Sequence, residues 1–159
     1  MSIDSIDSND ESARPEASRE GVRPNLDRNG LEVLERDECL ALLRTATLGR
    51  VAVTAAALPR VFPITFRVSD DQILFRASPG TKLDAASNNN VVAFEADEFD
   101  PVSHTGWSVM VTGVASEVTD PDERGVADAL QLPRWAPTEG GRIVAVSIEL
   151  VSGRRIPDA

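Results

Sequence analysis

Arg50-Val51-Ala52-Val53-Thr54-Ala55, followed after a short turn by Val61-Phe62-Pro63-Ile64-Thr65-Phe66-Arg67-Val68, decides the architecture of this chain. In the first run Val51, Val53 and Ala55 alternate with Arg50, Ala52 and Thr54. In the second, Phe62, Ile64, Phe66 and Val68 alternate with Val61, Pro63, Thr65 and Arg67. A period of two sends successive side chains to opposite faces of a strand. Two such runs across an Ala-Leu-Pro turn predict an antiparallel pair. Proline has no N–H to give to a ladder, so Pro63 belongs at a strand edge or bulge, where neighbouring backbone groups can meet a ligand.

Working outward, Asp70-Asp71 supplies the next turn and Gln72 to Ala77 a third strand. Val91-Val92-Ala93-Phe94 reads as a strand running into Glu95-Ala96-Asp97, and its unbroken apolar character predicts cover on both faces. A loop from Glu98 to Thr105 leads to a long strand, Gly106 to Ala115, in which Gly113 permits a bend. The last strand runs from Ile143 to Leu150 and continues to Ile156. Helices flank these strands. Cys39, Leu40, Leu42, Leu43 and Ala46 recur at helical spacing between Glu35 and Ala46, which makes Cys39 a buried structural thiol. A short helix is expected from Thr81 to Asn89, and another from the Asp120 cap and Pro121 to about Leu130. The pattern has no βαβ repeat. It predicts a mainly β protein, a six-stranded antiparallel barrel with short flanking helices.

The stretch Leu74-Phe75-Arg76-Ala77-Ser78-Pro79-Gly80-Thr81-Lys82-Leu83 takes a strand through a turn into a helix start. Backbone N–H groups, a hydroxyl and an ammonium converge there, as an anion cradle requires. Lys82 is the only lysine in the chain. The same residues would also make an ordinary strand-turn-helix junction with a solvated lysine.

The 159 residues suffice for one domain with a sizeable core. Residues 1–30, rich in Ser, Asp, Glu, Arg and Pro, read as a disordered acidic tail, and 31–159 as the folded domain. Sixteen Lys+Arg against 26 Asp+Glu give a formal charge of −10, which argues against binding nucleic acid or an anionic membrane. One cysteine rules out an intrachain disulfide, and with only His104 beside it no metal site is expected. No Gly-x-Ser-x-Gly elbow accompanies His104, so a nucleophilic triad is not expected either. No apolar run reaches the ~18 residues that cross a bilayer, and the acidic start lacks the features of a secretion signal. A cytoplasmic protein is expected.

Gly49-Arg50-Val51-Ala52-Val53, Phe62-Pro63-Ile64-Thr65-Phe66, Leu74-Phe75-Arg76-Ala77, Gly80-Thr81-Lys82, Ala93 to Asp97 and Gly106 to Gly113 occur in that order. Taken together, the set resembles the flavin-binding split-barrel proteins related to pyridoxamine 5′-phosphate oxidase, in particular the small bacterial branch that includes nitroimidazole-reductase-like proteins. The resemblance spans about Leu34 to Arg155. It implies a homodimer of six-stranded split barrels with FMN in the groove between subunits. Its phosphate would be held by the turn of Thr81 and Lys82. Its ring system would lie along Pro63, Ile64, Thr65 and Phe66 and along Phe75, Arg76, Ala77 and Ser78. Trp107, Ser108 and Val109 match a strand that often contributes to the groove, although Trp107 equally suits a core aromatic. The oxidase carries further basic residues on the strand matching Val61 to Phe66, so here phosphate binding would rest on Lys82 with Arg76. Ala77 replaces a common threonine. The oxidase's C-terminal substrate-binding pattern is absent from Ser152-Gly153-Arg154-Arg155-Ile156, so oxidation of pyridoxamine phosphate itself is not expected.

The leading expectation is therefore a flavin-dependent oxidoreductase acting on a small molecule. The alternatives are a split-barrel protein that binds the deazaflavin F420, and a non-enzymatic flavin carrier or sensor. The Gly106–Ala115 strand adds an argument for dimerisation. Trp107, Val109, Val111 and Ala115 share one face, Met110 and Val114 the other, and only one face can fill a barrel.

Overall fold

A computed structural model describes residues 25–132 and 141–157. Eight strands and three helices follow in the order β1 (Glu32–Leu34), α1 (Arg36–Thr45), β2 (Leu48–Ala55), β3 (Leu58–Ser69), β4 (Gln72–Ala77), α2 (Lys82–Ala86), β5 (Asn90–Asp100), β6 (Thr105–Glu117), α3 (Pro121–Ala129), β7 (Arg142–Ser147) and β8 (Leu150–Arg155). The strands pair in the order β1-β8-β6-β5-β2-β3-β4-β7, and β7 pairs back onto β6. Six of them, β6-β5-β2-β3-β4-β7, thereby close an antiparallel barrel, while β8 and β1 extend the sheet from the first half of β6.

Gly113 explains how one strand serves two neighbours. β6 pairs with β8 from Trp107 to Thr112 and with β7 from Ala115 to Glu117. Between them a Cβ on Gly113 would lie 1.6 Å from the Ser147 carbonyl oxygen. Only a glycine lets the β7–β8 corner cross there, and the Ser147 hydroxyl accepts from the Val114 amide at 3.0 Å. The expected last strand, Ile143 to Ile156, is accordingly two strands, broken at Ile148 and Glu149 because it changes neighbours.

Inside the barrel Phe66 and Phe94 meet edge to face with ring centroids 4.7 Å apart. The Phe94 ring occupies the space that a Cβ on Gly49 would need. Helix α1 buries Cys39, Leu40 and Leu43 in this core. The bare Cα of Gly153 leaves room for the Cys39 sulfur, whose thiol is raised by burial. The strands with both faces covered are β4 and β7, because α3 packs Ala127 against Leu74, Ile143 and Ala145 in a second cluster. The prediction of double cover on the strand around Val91-Val92-Ala93-Phe94 is corrected. Val92 and Phe94 point inward, but Val91 is exposed.

Local corrections follow from hydrogen bonding. The β2–β3 turn centres on Ala56-Ala57 rather than Ala-Leu-Pro, since Ala55 pairs with Leu58. Helix α2 stops at Ala86, not Asn89, after the Ser87 amide bonds back to Leu83. Half of the segment expected as a loop, Glu98 to Thr105, is strand, with β5 and β6 paired out to Asp100 and Thr105 around a turn at 101–104. Six residues of the expected tail are folded back. Asp27 accepts from the Asn29 and Leu31 amides and from Arg154 Nε, the last at 2.9 Å, and Leu26 bridges to Glu32. The other residues of that expected tail, 1–24, lie outside the described residues.

Candidate functional site

Strands β3 and β4 are laddered only from Phe66–Phe75 to Ser69–Gln72. Beyond that point no ladder joins them among the described residues, and the interval between Pro63-Ile64-Thr65 and Arg76-Ala77-Ser78 is the candidate slit. The Phe66 amide donates to Thr47 on the β2 side. Backbone groups alternate sides along an antiparallel strand, so Pro63 turns its donorless nitrogen toward the slit. The proline thus stands in the interior of β3, opposite Arg50, with the missing donor on the unladdered side. Ile64, Phe66, Phe75 and Ala77 point their side chains into the barrel core, and by the same alternation the backbone groups of Ile64 and Phe66 face β2, so the strand edges toward the slit belong to Pro63 and Thr65 and to Arg76 and Ser78. Pro63 is exposed, and Thr65, Arg76 and Ser78 are half-buried on the other face.

At the end of the slit β4 passes through the Ser78–Gly80 turn, Gly80 having φ +75°, into α2. The Thr81 hydroxyl caps α2, accepting from the Asp84 amide at 3.1 Å and donating to the Ser78 carbonyl at 2.8 Å. Asp84, which the sequence reading missed, accepts from the Gly80 amide at 2.9 Å and pairs with Arg142 at 3.6 Å. One amide of the expected anion cradle therefore already holds a carboxylate. The Lys82 and Leu83 amides have no acceptor among the described residues, and the exposed Lys82 ammonium has no acidic partner there. Arg76, expected as the second cation, instead donates to Asp128 of α3 at 3.1 Å. Its Nε is buried without a partner, as is that of Arg60. Neither Asp84 nor Arg142 carried a periodic signal. The contact between them joins α2 to β7 across 58 residues of sequence and arises only from barrel closure.

Trp107, Ser108 and Val109 stand elsewhere, three strands round the barrel from Pro63 through β2 and β5. Val109 is core. Trp107 and Ser108 lie in a cleft of about 280 Å³ with Leu31, Phe99, Arg154 and Ile156. Ser108 also borders a second cleft of about 400 Å³, with Glu95, Met110, Ser152 and Arg154. Beside it Arg50 bonds both Glu95, at 3.2 Å, and Asp97. Burial, and next the Asp97 charge, pushes the Glu95 carboxyl up, against the pull of Arg50. The chain thus brings the slit and the Lys82 turn together but keeps the Trp107 strand apart from them.

Among the described residues no group of His, Cys, Asp and Glu could hold a metal ion. His104 is exposed at the β5–β6 turn. No described helix is long and apolar enough to cross a membrane.

The family model described as pyridoxamine 5′-phosphate oxidase matches residues 35–155. The chain belongs to that family. Within it, the chain is similar to an uncharacterized protein of Mycobacterium tuberculosis, 38% identical over 149 residues, or 91% of each chain. The FAD-binding protein of Mycobacterium smegmatis is 38% identical with a TM-score of 0.69, over 77% of this chain and 95% of that one. An FAD-binding protein of Mesorhizobium loti, 24% identical, shares the fold with a TM-score of 0.66, over 79% and 97% of the two chains. Family membership agrees with the split barrel expected from the sequence and makes a flavin the cofactor class to test against the slit. The residues fit one. The unladdered strand edges offer backbone groups to a planar ring, and at one end the Lys82 and Leu83 amides and the Lys82 ammonium, without partners among the described residues, suit a phosphate.

Proposed function

We propose that this protein is a flavin-dependent oxidoreductase that works as a homodimer. The 38% identity with a protein described as FAD-binding, over 95% of that protein, carries the reading. A bound flavin would supply hydride or electron transfer. The chain's own residues bind and orient it. Backbone of Pro63 to Phe66 and of Phe75 to Ser78 lies along the ring, while Lys82 and the first amides of α2 take the phosphate next to the ribityl chain. No side chain need act as acid or base, which suits a site whose one histidine lies at a distant turn. The phosphate and ring portions are common to FMN, expected from the sequence, and FAD, which the relative's description favours.

The dimer supports the same site. One outward row across five strands reads Val61, Ala52, Ala93, Thr112 and Leu150. Val61 and Leu150 are 65% and 69% exposed, and Met110 in the next row is 51% exposed. Helix α3 covers a different face, so a second copy is the natural cover for this one. An isologous contact would carry the partner's Trp107 strand toward the Lys82 slit, uniting groups that one chain holds apart.

The test begins with the absorption spectrum of the purified protein. Oxidised-flavin bands, with FMN or FAD identified by chromatography after release, support the reading. A colourless protein that takes up F420 overturns it. Turnover with NAD(P)H and an acceptor then separates an enzyme from a carrier or sensor.

A further inference from the structure

Asp84 and Thr81 between them occupy most of the donors at the turn assigned to the flavin phosphate. The Asp84 carboxylate accepts from the Gly80 amide at 2.9 Å, and the Asp84 amide donates to the Thr81 hydroxyl at 3.1 Å. The Thr81 amide donates to the Ser78 carbonyl at 3.3 Å. A ligand is left the consecutive N–H groups of Lys82 and Leu83, which the chain brackets between Gly80 and Asp84. An anion that takes this pair therefore has the Asp84 carboxylate as a neighbour.

That carboxylate is fixed and little solvated. Its side chain is 11% exposed, and Arg142 of β7 holds it at 3.6 Å while also pairing with Glu117 of β6 at 3.5 Å. Lys82, Asp84, Arg142 and Glu117 together carry two positive and two negative charges, so this linked group is neutral before a ligand arrives. Arg142 is divided between two carboxylates, which leaves Asp84 only partly offset, and like charges repel most where water is partly excluded. The number of charges on the incoming phosphate then matters. A phosphomonoester carries about −1.5 to −2 at neutral pH, because its second proton leaves near pH 6. Each phosphate of a diphosphate diester has no second proton to lose and carries a single charge.

We propose that Asp84 sets the choice of cofactor in this chain, admitting the singly charged phosphates of FAD and disfavouring the dianionic phosphate of FMN. The assignment rests on the flavin reading and decides between the two flavins which that reading leaves open. Asp84 acts here as a specificity residue, with Arg142 setting how much of its charge a ligand meets.

The experiment titrates FAD, FMN and riboflavin, which has no phosphate, into the full chain freed of copurified flavin, with binding read by calorimetry. Wild type should bind FAD more tightly than FMN. Asp84→Asn keeps an acceptor for the Gly80 amide and removes the charge. It should tighten FMN by roughly 2- to 10-fold, the size of one charge interaction at a partly exposed turn, narrow the preference for FAD and leave riboflavin unchanged. Arg142→Gln, at a side chain 46% exposed, should act in the opposite sense by leaving Asp84 unopposed, so that FMN weakens and the preference widens. A wild type that favours FMN, or a ratio of FAD to FMN affinity that neither variant moves, would overturn the assignment while leaving the flavin reading standing. A wild-type chain that binds none of the three would remove the flavin reading and this assignment with it.

Discussion

Lys82 concentrates the chain's whole supply of ammonium charge at one exposed turn, and the fold does not depend on it. Lys82→Ala is expected to weaken flavin binding by about 1.5–3 kcal/mol, the range for a hydrogen bond to a charged group, with an unchanged melting temperature. Equal flavin affinity in the two proteins would defeat the phosphate assignment. Gly113 is the opposite case, a residue with no chemistry on which closure depends. Gly113→Ala drives a Cβ into the Ser147 carbonyl. It should cost at least the ~1–3 kcal/mol of an overpacked core, read as a lower midpoint in urea. Asp27 adds a pH dependence. The Arg154 hydrogen bond, then those from the Asn29 and Leu31 amides, hold its carboxyl below the usual aspartate range. A folded-state value below the unfolded one contributes stability that is present above the ordinary aspartate value and is lost as pH falls through the lowered one. Asp27→Asn should therefore be less stable than wild type at neutral pH, and the two stability curves should converge in acid.

Elements carry consequences that single residues do not. The β2–β3 hairpin turns on Ala56 and Ala57 with φ of 51° and 61°. A two-residue hairpin of this hand needs positive φ at both positions, which alanine adopts at a cost of roughly 1–2 kcal/mol each and Asn-Gly adopts readily. Replacing the pair by Asn-Gly should raise stability by about 1–2 kcal/mol in denaturant titration. No gain would mean that the pair is not strained. Removing residues 1–24 leaves the Asp27–Arg154 bond and the Leu26–Glu32 bridge in place, so the melting temperature should not move. Removing 1–30 deletes both and should lower it by a few degrees. Identical melting curves for the two truncations would show that the folded-back segment contributes nothing.

At the scale of the whole molecule, the outward face of β3, β2, β5, β6 and β8 leaves Val61, Met110 and Leu150 exposed among the described residues, while α3 attends to β4 and β7. Sedimentation at low micromolar concentration should find a dimer. A monomer holding stoichiometric flavin would sink the shared-site proposal, since the Trp107 cleft would then serve some other purpose. Leu150→Glu, placed in the exposed row, should shift the population toward monomer and lower flavin retention together. Loss of flavin without a change in mass would separate the two effects.

The alternation in Arg50–Ala55 and Val61–Val68, the helical spacing around Cys39 and the apolar Gly106–Ala115 run determined by themselves an antiparallel barrel with α1 at its end. Each is a local period, and a period of 2 or 3.6 states which face is buried without knowledge of the partner. The ordered set of motifs carried the family, and Thr81-Lys82 carried one end of the candidate site. Tertiary structure alone decided where β3 leaves β4, that Ile143–Ile156 must break to serve both halves of the barrel, and that Arg76 is held by Asp128 while Arg60 is left without an acceptor. Those outcomes depend on pairings between residues far apart in the chain, 52 positions for Arg76 and Asp128. Side-chain commitment of that kind is settled by the closure of the barrel and leaves no periodic trace in the sequence.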